Sequence, residues 1–237
     1  MTHLTDEEFD RLSAYVSDRY ASSGLPDDVV KALDHHNDRV LGFAEAIADG
    51  EHLDPGDREL LRTIAVLHDA AKADTHLLHH AEAGAELAAE LLEELDKPKA
   101  FIESVQSGIV CHMGPFPFVD EEAAKYSERT GEELHLPRPQ TAIDRLFYDA
   151  DMLALMDIDG IEKVVVLRST TTEFIEEDER TAATDGGTPR AAAYRSALQS
   201  VLRAAATLHS DTAKRIGQRL AAEAHSYVAA RTDDRSD

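Results

Sequence analysis

The chain contains one cysteine, Cys111, in 237 residues. An internal disulfide framework is therefore excluded, and a reducing cytoplasm is the expected compartment. Apolar runs are short, and none approaches the ~18 residues of a membrane span. The opening segment, Met1-Thr2-His3-Leu4-Thr5-Asp6-Glu7-Glu8, is polar and acidic, the opposite of a secretory leader. Basic residues are scarce: 24 Lys and Arg stand against 47 Asp and Glu, for a net charge of −23. No basic stripe suited to nucleic acid is present. Alternating strand patterns and internal repeats are also missing.

What remains is a globular composition. Hydrophobic residues make up 43%, too many for a disordered chain. The length suits one well-buried domain, with or without an appendage. The acids are spread along the chain and would repel one another at low salt. Molar salt shortens the screening length to about 3 Å and removes that cost. With arginine ahead of lysine and alanine abundant, this is the expected composition of a salt-accumulating halophile. An ordinary acidic cytoplasmic protein is the plainer alternative. A small anionic substrate is compatible with either, because a metal site supplies local positive charge.

The pattern is helical throughout. Thr5-Asp6-Glu7-Glu8 reads as a capping box, with Phe9, Leu12 and Val16 on one helix face. Gly24-Leu25-Pro26 breaks the chain, and a second helix is expected to run to about Asp49, stopped by Gly50. Asp54-Pro55 opens a third. Further helices are expected over about 80–95, from Pro98 to His112, over about 140–156, and from Gly160. Met113 to Pro139 is expected to be largely loop, with Phe116 and Phe118 either covering a pocket or anchoring a surface segment. The expected organisation is a bundle over residues 1–183 with its core at about 30–165, a linker at 184–190, and a helical extension at 191–232. That extension either packs on the bundle or makes a homodimer.

The third helix ends in an unusual way. The apolar run Ile64-Ala65-Val66-Leu67 meets His68-Asp69. Burying an imidazole beside a carboxylate is costly unless something compensates, and a metal ion is a common compensation. Other ligand-type residues also fall on apolar faces. His36 shares the helical rhythm of Leu33, Val40, Phe43 and Ile47; His80 shares that of Gly84, Leu87 and Leu91; His112 shares that of Val105 and Ile109; Asp151 shares that of Ile143 and Phe147. A lone inward histidine is usually a hydrogen-bonded core residue. Six such breaks of the binary pattern on separate helices point instead to a site.

These residues resemble the motifs of the HD superfamily of metal-dependent phosphohydrolases. His36-Asn37-Asp38-Arg39-Val40 is similar to its first motif, and Leu67-His68-Asp69-Ala70-Ala71-Lys72 to its signature, with Ala70-Ala71 replacing the usual Ile-Gly. His80 followed by Gly84 is similar to the third motif, a spacing that favours His80 over its rivals His76 and His79, as Arg39 and the apolar register favour His36 over His35; Asp149-Ala150-Asp151-Met152-Leu153 is similar to the last. The resemblance covers about residues 30–165 and implies an all-α fold, an HD-domain helical bundle with additional C-terminal helices. It implies that His36, His68, Asp69 and Asp151 hold one metal, and that His80 and His112 complete a second site with Asp69 as the bridge. His112 is the least secured, since the family often has a histidine pair where this chain has Cys111-His112. Lys72 stands where one-metal nucleotidase members often carry glutamate, which favours two ions.

The cofactors so implied are one or two divalent ions among Mn, Fe, Co, Ni and Zn. The implied reaction is attack of a metal-bound hydroxide on a phosphomono- or phosphodiester, a nucleotide or related small molecule. Asp69 and Lys72 are the candidate catalytic residues. Lys72 and Arg39 are the candidate phosphate contacts, though Arg39 fits a structural ion pair equally and Lys72 a helix-end position. Two other readings stay open: a di-iron oxygenase of the same superfamily, and a non-catalytic ligand-sensing module.

Overall fold

Thr5 and Glu8 form the reciprocal cap the sequence predicts. The Glu8 amide donates to Thr5 Oγ1 at 3.2 Å and the Thr5 amide to Glu8 Oε2 at 2.7 Å, which satisfies two donors that a helix start leaves unpaired. This cap opens α1 (Asp6–Ser22) in a computed structural model that describes residues 4–75, 78–114, 117–131, 133–134, 136–170 and 172–232. Two expectations lie outside those residues: His76 as a rival of His80, and Phe116 with the side chain of Phe118 over a pocket.

After α2 (Asp27–Gly50), Asp54 caps α3 (Pro55–Leu67) by accepting from the Gly56 and Asp57 amides, with proline in the first turn. There follow α4 (His80–Glu94), α5 (Lys99–Cys111), α6 (Pro117–Thr130), α7 (Ala142–Met156), α8 (Ile158–Thr170), α9 (Thr172–Asp185), α10 (Pro189–Thr207) and α11 (Asp211–Thr232). The described residues contain these helices and no strand, so the fold is all-α as expected. None of these helices is long and apolar enough to cross a membrane.

The segment expected as loop carries α6. Pro117 occupies a first-turn position, and Glu121, Glu122, Ala123, Ala124 and Lys125 are strong helix formers. The proline and glycine cluster of Gly114 to Pro117 carries a loop signature, while the residues after it have helical propensity. The break expected at 184–190 narrows to residues 186–188. Gly186 turns the chain at φ +72°, its amide bonds back to the Ala182 carbonyl at 2.9 Å, and Thr188 caps α10.

At the centre, α2 packs against α3, α7 and α8, and α3 against α5 and α7. The outer pair α10 and α11 lies on α7 and α8, with α9 against α10. Asp149 of α7 is fully buried and anchors this pair. Its carboxylate accepts from the His209 and Ser210 amides, both at 2.7 Å, at the entry to α11.

Helices α7 and α8 are joined by Asp157 alone, which accepts from the Gly160 amide at 2.7 Å. So tight a junction presses the two backbones together. A Cβ at Gly160 would sit 2.1 Å from the Ala154 carbonyl oxygen and 2.7 Å from the Leu155 carbonyl carbon. Backbone cannot swing aside as a side chain can. Gly160→Ala should therefore lower the melting temperature by roughly 5–10 °C, from an overpacking cost of about 2–3 kcal/mol. Circular-dichroism melts of the two proteins check this.

Candidate metal centre

Five elements each deliver part of one cluster. His36 comes from α2, His68-Asp69 from the turn closing α3, His80 from the first residue of α4, His112 from just beyond α5, and Asp151 from α7. All six are buried, with His68 and Asp69 completely so. The turn is fixed from outside: Tyr20 donates its hydroxyl to the Asp69 carbonyl at 3.0 Å. Helix α4 approaches closely because Gly84 has no side chain; a Cβ there would meet the His68 carbonyl oxygen at 3.1 Å. This is the physical reason for the His80–Gly84 spacing.

Asp69 divides the cluster in two. Its Oδ2 faces His68 Nε2 at 3.4 Å and His36 Nε2 at 3.7 Å. Asp151 Oδ1 lies 3.0 Å from His36 Nε2 and 3.9 Å from His68 Nε2. The other oxygen, Oδ1, faces His80 Nε2 at 3.1 Å and His112 Nε2 at 3.8 Å, and those two nitrogens are 3.0 Å apart. One carboxylate thus presents one oxygen to each of two donor sets.

The donor set fits metal ions. His68 Nδ1 donates to the Ala65 carbonyl at 2.9 Å and His112 Nδ1 to the Ile109 carbonyl at 2.6 Å. Those bonds leave the Nε2 lone pairs aimed into the cluster, the tautomer that metal ligation needs. His68 Nε2 and Asp69 Oδ1 are buried without a hydrogen bond of normal geometry among the described residues, a costly state that a bound cation relieves. Two nitrogens about 2.1 Å from one ion, at right angles, lie about 3.0 Å apart, the His80–His112 separation. Two groups, His36 with His68 and Asp69, and Asp69 with His80 and His112, therefore have the character of metal sites.

Electrostatics agree. Burial, then the charge of Lys163, lowers His36 to about 3; burial, then His80, lowers His112 to about 3. Both are neutral and ligand-competent at pH 7. Burial pushes the Asp69 carboxyl upward, but His68 and Lys72 outweigh it and hold the group well below its usual range. A pH dependence follows for chelator-treated protein. Between the ordinary imidazole value of 6.5 and about 3, the unfolded chain binds protons at these positions and the native chain does not. Stability contributed here is intact above about pH 6.5 and lost as pH falls toward 3. Melting temperatures should drop across that window, and the drop should be shallower in a His36→Gln/His112→Gln variant.

The rivals are elsewhere. His35 is exposed, and His79 meets the Tyr126 hydroxyl at 3.1 Å. The Cys111 thiol is pushed up to about 11 by burial and then by Asp144, which marks it as packing against α7. Arg39 is not brought to the cluster: its guanidinium pairs with Asp157 and stacks on Phe43. Lys72 is brought in, its Nζ 2.7 Å from Asp69 Oδ2.

One residue escaped the sequence reading. Lys163 of α8 is 3% exposed, its Nζ is 3.9 Å from Asp69 Oδ2, and burial followed by Lys72 lowers it to about 7. Its signal was faint: it shares a helix face with Val164 and Leu167, inside an apolar run where a lysine reads as a solvated interruption.

The six residues form one buried cluster, and Lys72 and Lys163 reach its Asp69 Oδ2. No curated protein and no solved structure matches the chain. The model of the HD domain family, however, matches residues 33–156, more than half the chain. That span contains the whole cluster, from His36 to Asp151, and on this match the chain belongs to the HD domain family.

Proposed function

We propose that the protein is a metal-dependent phosphohydrolase acting on a small phosphate ester. The observation that carries this reading is the placement of Asp69. Its two oxygens face two separate sets of histidines, and Lys72 and Lys163 converge on the Oδ2 side. His36, His68, Asp69 and Asp151 would hold one ion, and Asp69, His80 and His112 the other. Divalent ions in such a pair supply Lewis-acid charge to a phosphoryl oxygen and a water of lowered pKa as nucleophile.

The chain's own residues do the rest. Asp69 stays ionised and keeps the two sets in register. The Ala65 and Ile109 carbonyls hold the His68 and His112 imidazoles in their ligating tautomer. The Phe147 ring, 5.3 Å from that of His68, backs the cluster and keeps water from that side. Lys72 and Lys163 take the remaining phosphoryl oxygens as point charges. The dispersed negative charge supports a working place in a salt-rich cytoplasm, with neither nucleic acid nor membrane as partner.

The test is a phosphate-release screen with each of Mn, Fe, Co, Ni and Zn, against chelator-treated protein. Release with an added metal and none with chelator supports the proposal. Iron-loaded protein that consumes oxygen and releases no phosphate would favour the oxygenase chemistry instead. Inert protein with every metal would favour a sensing module.

A further inference from the structure

A cavity of about 170 Å³ opens directly from the cluster, with Lys72 and Lys163 at its reactive end. Its far walls have a different character. They are formed by Met113, Met152, Leu155, Val164, Leu167 and Phe174, with Ser196 and Ser200 of α10 beside them. The Ser200 hydroxyl is turned away to the Ser196 carbonyl at 3.2 Å. Arg168 also borders the cavity, but its charge is already matched. Its Nη2 meets Asp178 Oδ1 at 2.6 Å and Glu177 Oε2 at 2.9 Å, its Nε meets Asp178 Oδ2 at 3.0 Å, and its plane lies over Phe174.

We infer, on the phosphohydrolase reading above, that the substrate is a phosphate monoester of a compact apolar alcohol, aryl or short branched alkyl. The phosphate lies at the Lys72–Lys163 end and the carbon skeleton fills the chamber. Three features point this way. The whole cavity, cluster end included, is about 170 Å³, against about 150 Å³ for a cavity that takes up benzene, so the apolar walls beyond the phosphate leave room for one small skeleton. A nucleobase would bury several donors and acceptors against thioethers and aliphatic carbon, with little beyond Ser196 among the described residues to pair them. The further phosphates of a di- or triphosphate would lie beyond the ions and lysines, against apolar walls where the one cation among the described residues, Arg168, is committed to two carboxylates. The nucleotide expected from the sequence is therefore replaced by a smaller and greasier ester.

The experiment is calorimetric titration of metal-loaded protein with three non-hydrolysed or slowly hydrolysed probes: methylphosphonate, phenylphosphonate and adenosine 5′-monophosphate. Burial of the ring should make phenylphosphonate at least about tenfold tighter than methylphosphonate, with the nucleotide weaker than phenylphosphonate. Ser196→Phe, which fills the chamber from α10, should abolish the preference for phenyl over methyl. Lys163→Met should weaken both phosphonates about tenfold or more. Equal binding of phenyl and methyl probes by the wild-type protein, or tighter binding of the nucleotide, overturns the inference whether or not the variants fold. A phenyl preference without hydrolysis of phenyl phosphate upholds it and counts against the hydrolase reading alone. Hydrolysis of nucleotides without a phenyl preference does the reverse.

Discussion

Asp69→Asn should reduce metal-dependent phosphate release by at least about a thousandfold, more than loss of a single stabilising donor usually costs. The substitution is nearly isosteric, so the turn held by Tyr20 through the Asp69 backbone carbonyl stays intact. What changes is the chemistry of both oxygens. One becomes an amide nitrogen, which has no lone pair to offer an ion. The other becomes a neutral carbonyl, a much weaker ligand. The two donor sets therefore lose at once the anion they share; the His36–His68 set keeps Asp151, and the His80–His112 set keeps none. Lys72, 2.7 Å from Oδ2, and Lys163, 3.9 Å from it, also lose the carboxylate they share. Asp151→Asn touches only the set containing His36 and His68 and should be milder. Malachite-green assay of released phosphate, with circular dichroism to confirm the helical fold, separates loss of chemistry from loss of structure.

The second large effect concerns salt. Moving the protein from molar salt to ~0.1 M should lower its melting temperature by about 10 °C, which at this chain length corresponds to about 3–4 kcal/mol. The charge of −23 is the reason. The buried carboxylates of the structure have partners, as Asp149 has in the His209 and Ser210 amides and Asp178 has in Arg168. The unmatched excess therefore lies outside. Shortening the screening length from about 10 Å to about 3 Å largely silences repulsion between such groups. A melt indifferent to salt would refute adaptation to a salt-rich interior.

The sequence carried the cluster better than its surroundings. His36, His68, His80, His112 and Asp151 were legible because each interrupts an apolar face at helical spacing, and a buried polar group on such a face needs a reason. Cys111-His112 illustrates the limit of that method. Periodicity favours the histidine, but only packing shows its Nε2 turned to Asp69 while the neighbouring thiol is buried away from a ligand position. Lys163 was not legible. A buried lysine is stabilised by partners on other helices, and nothing local announces them. The same holds for Arg168, whose carboxylates Glu177 and Asp178 sit on the following helix. Helix α6 was hidden by its own proline-rich approach. Arg39 matched a family motif, yet its partner Asp157 lies 118 residues away and turns it into a brace between α2 and the α7–α8 junction.

On the proposed function, one carboxylate joins two metal sites. Equilibrium dialysis against Mn(II), with metal content read by mass spectrometry, counts them. Two equivalents are expected per wild-type chain, one for His112→Ala, and neither held tightly by Asp69→Asn. A wild-type chain that binds a single ion or none, or an Asp69→Asn chain that still binds two, would contradict the proposal.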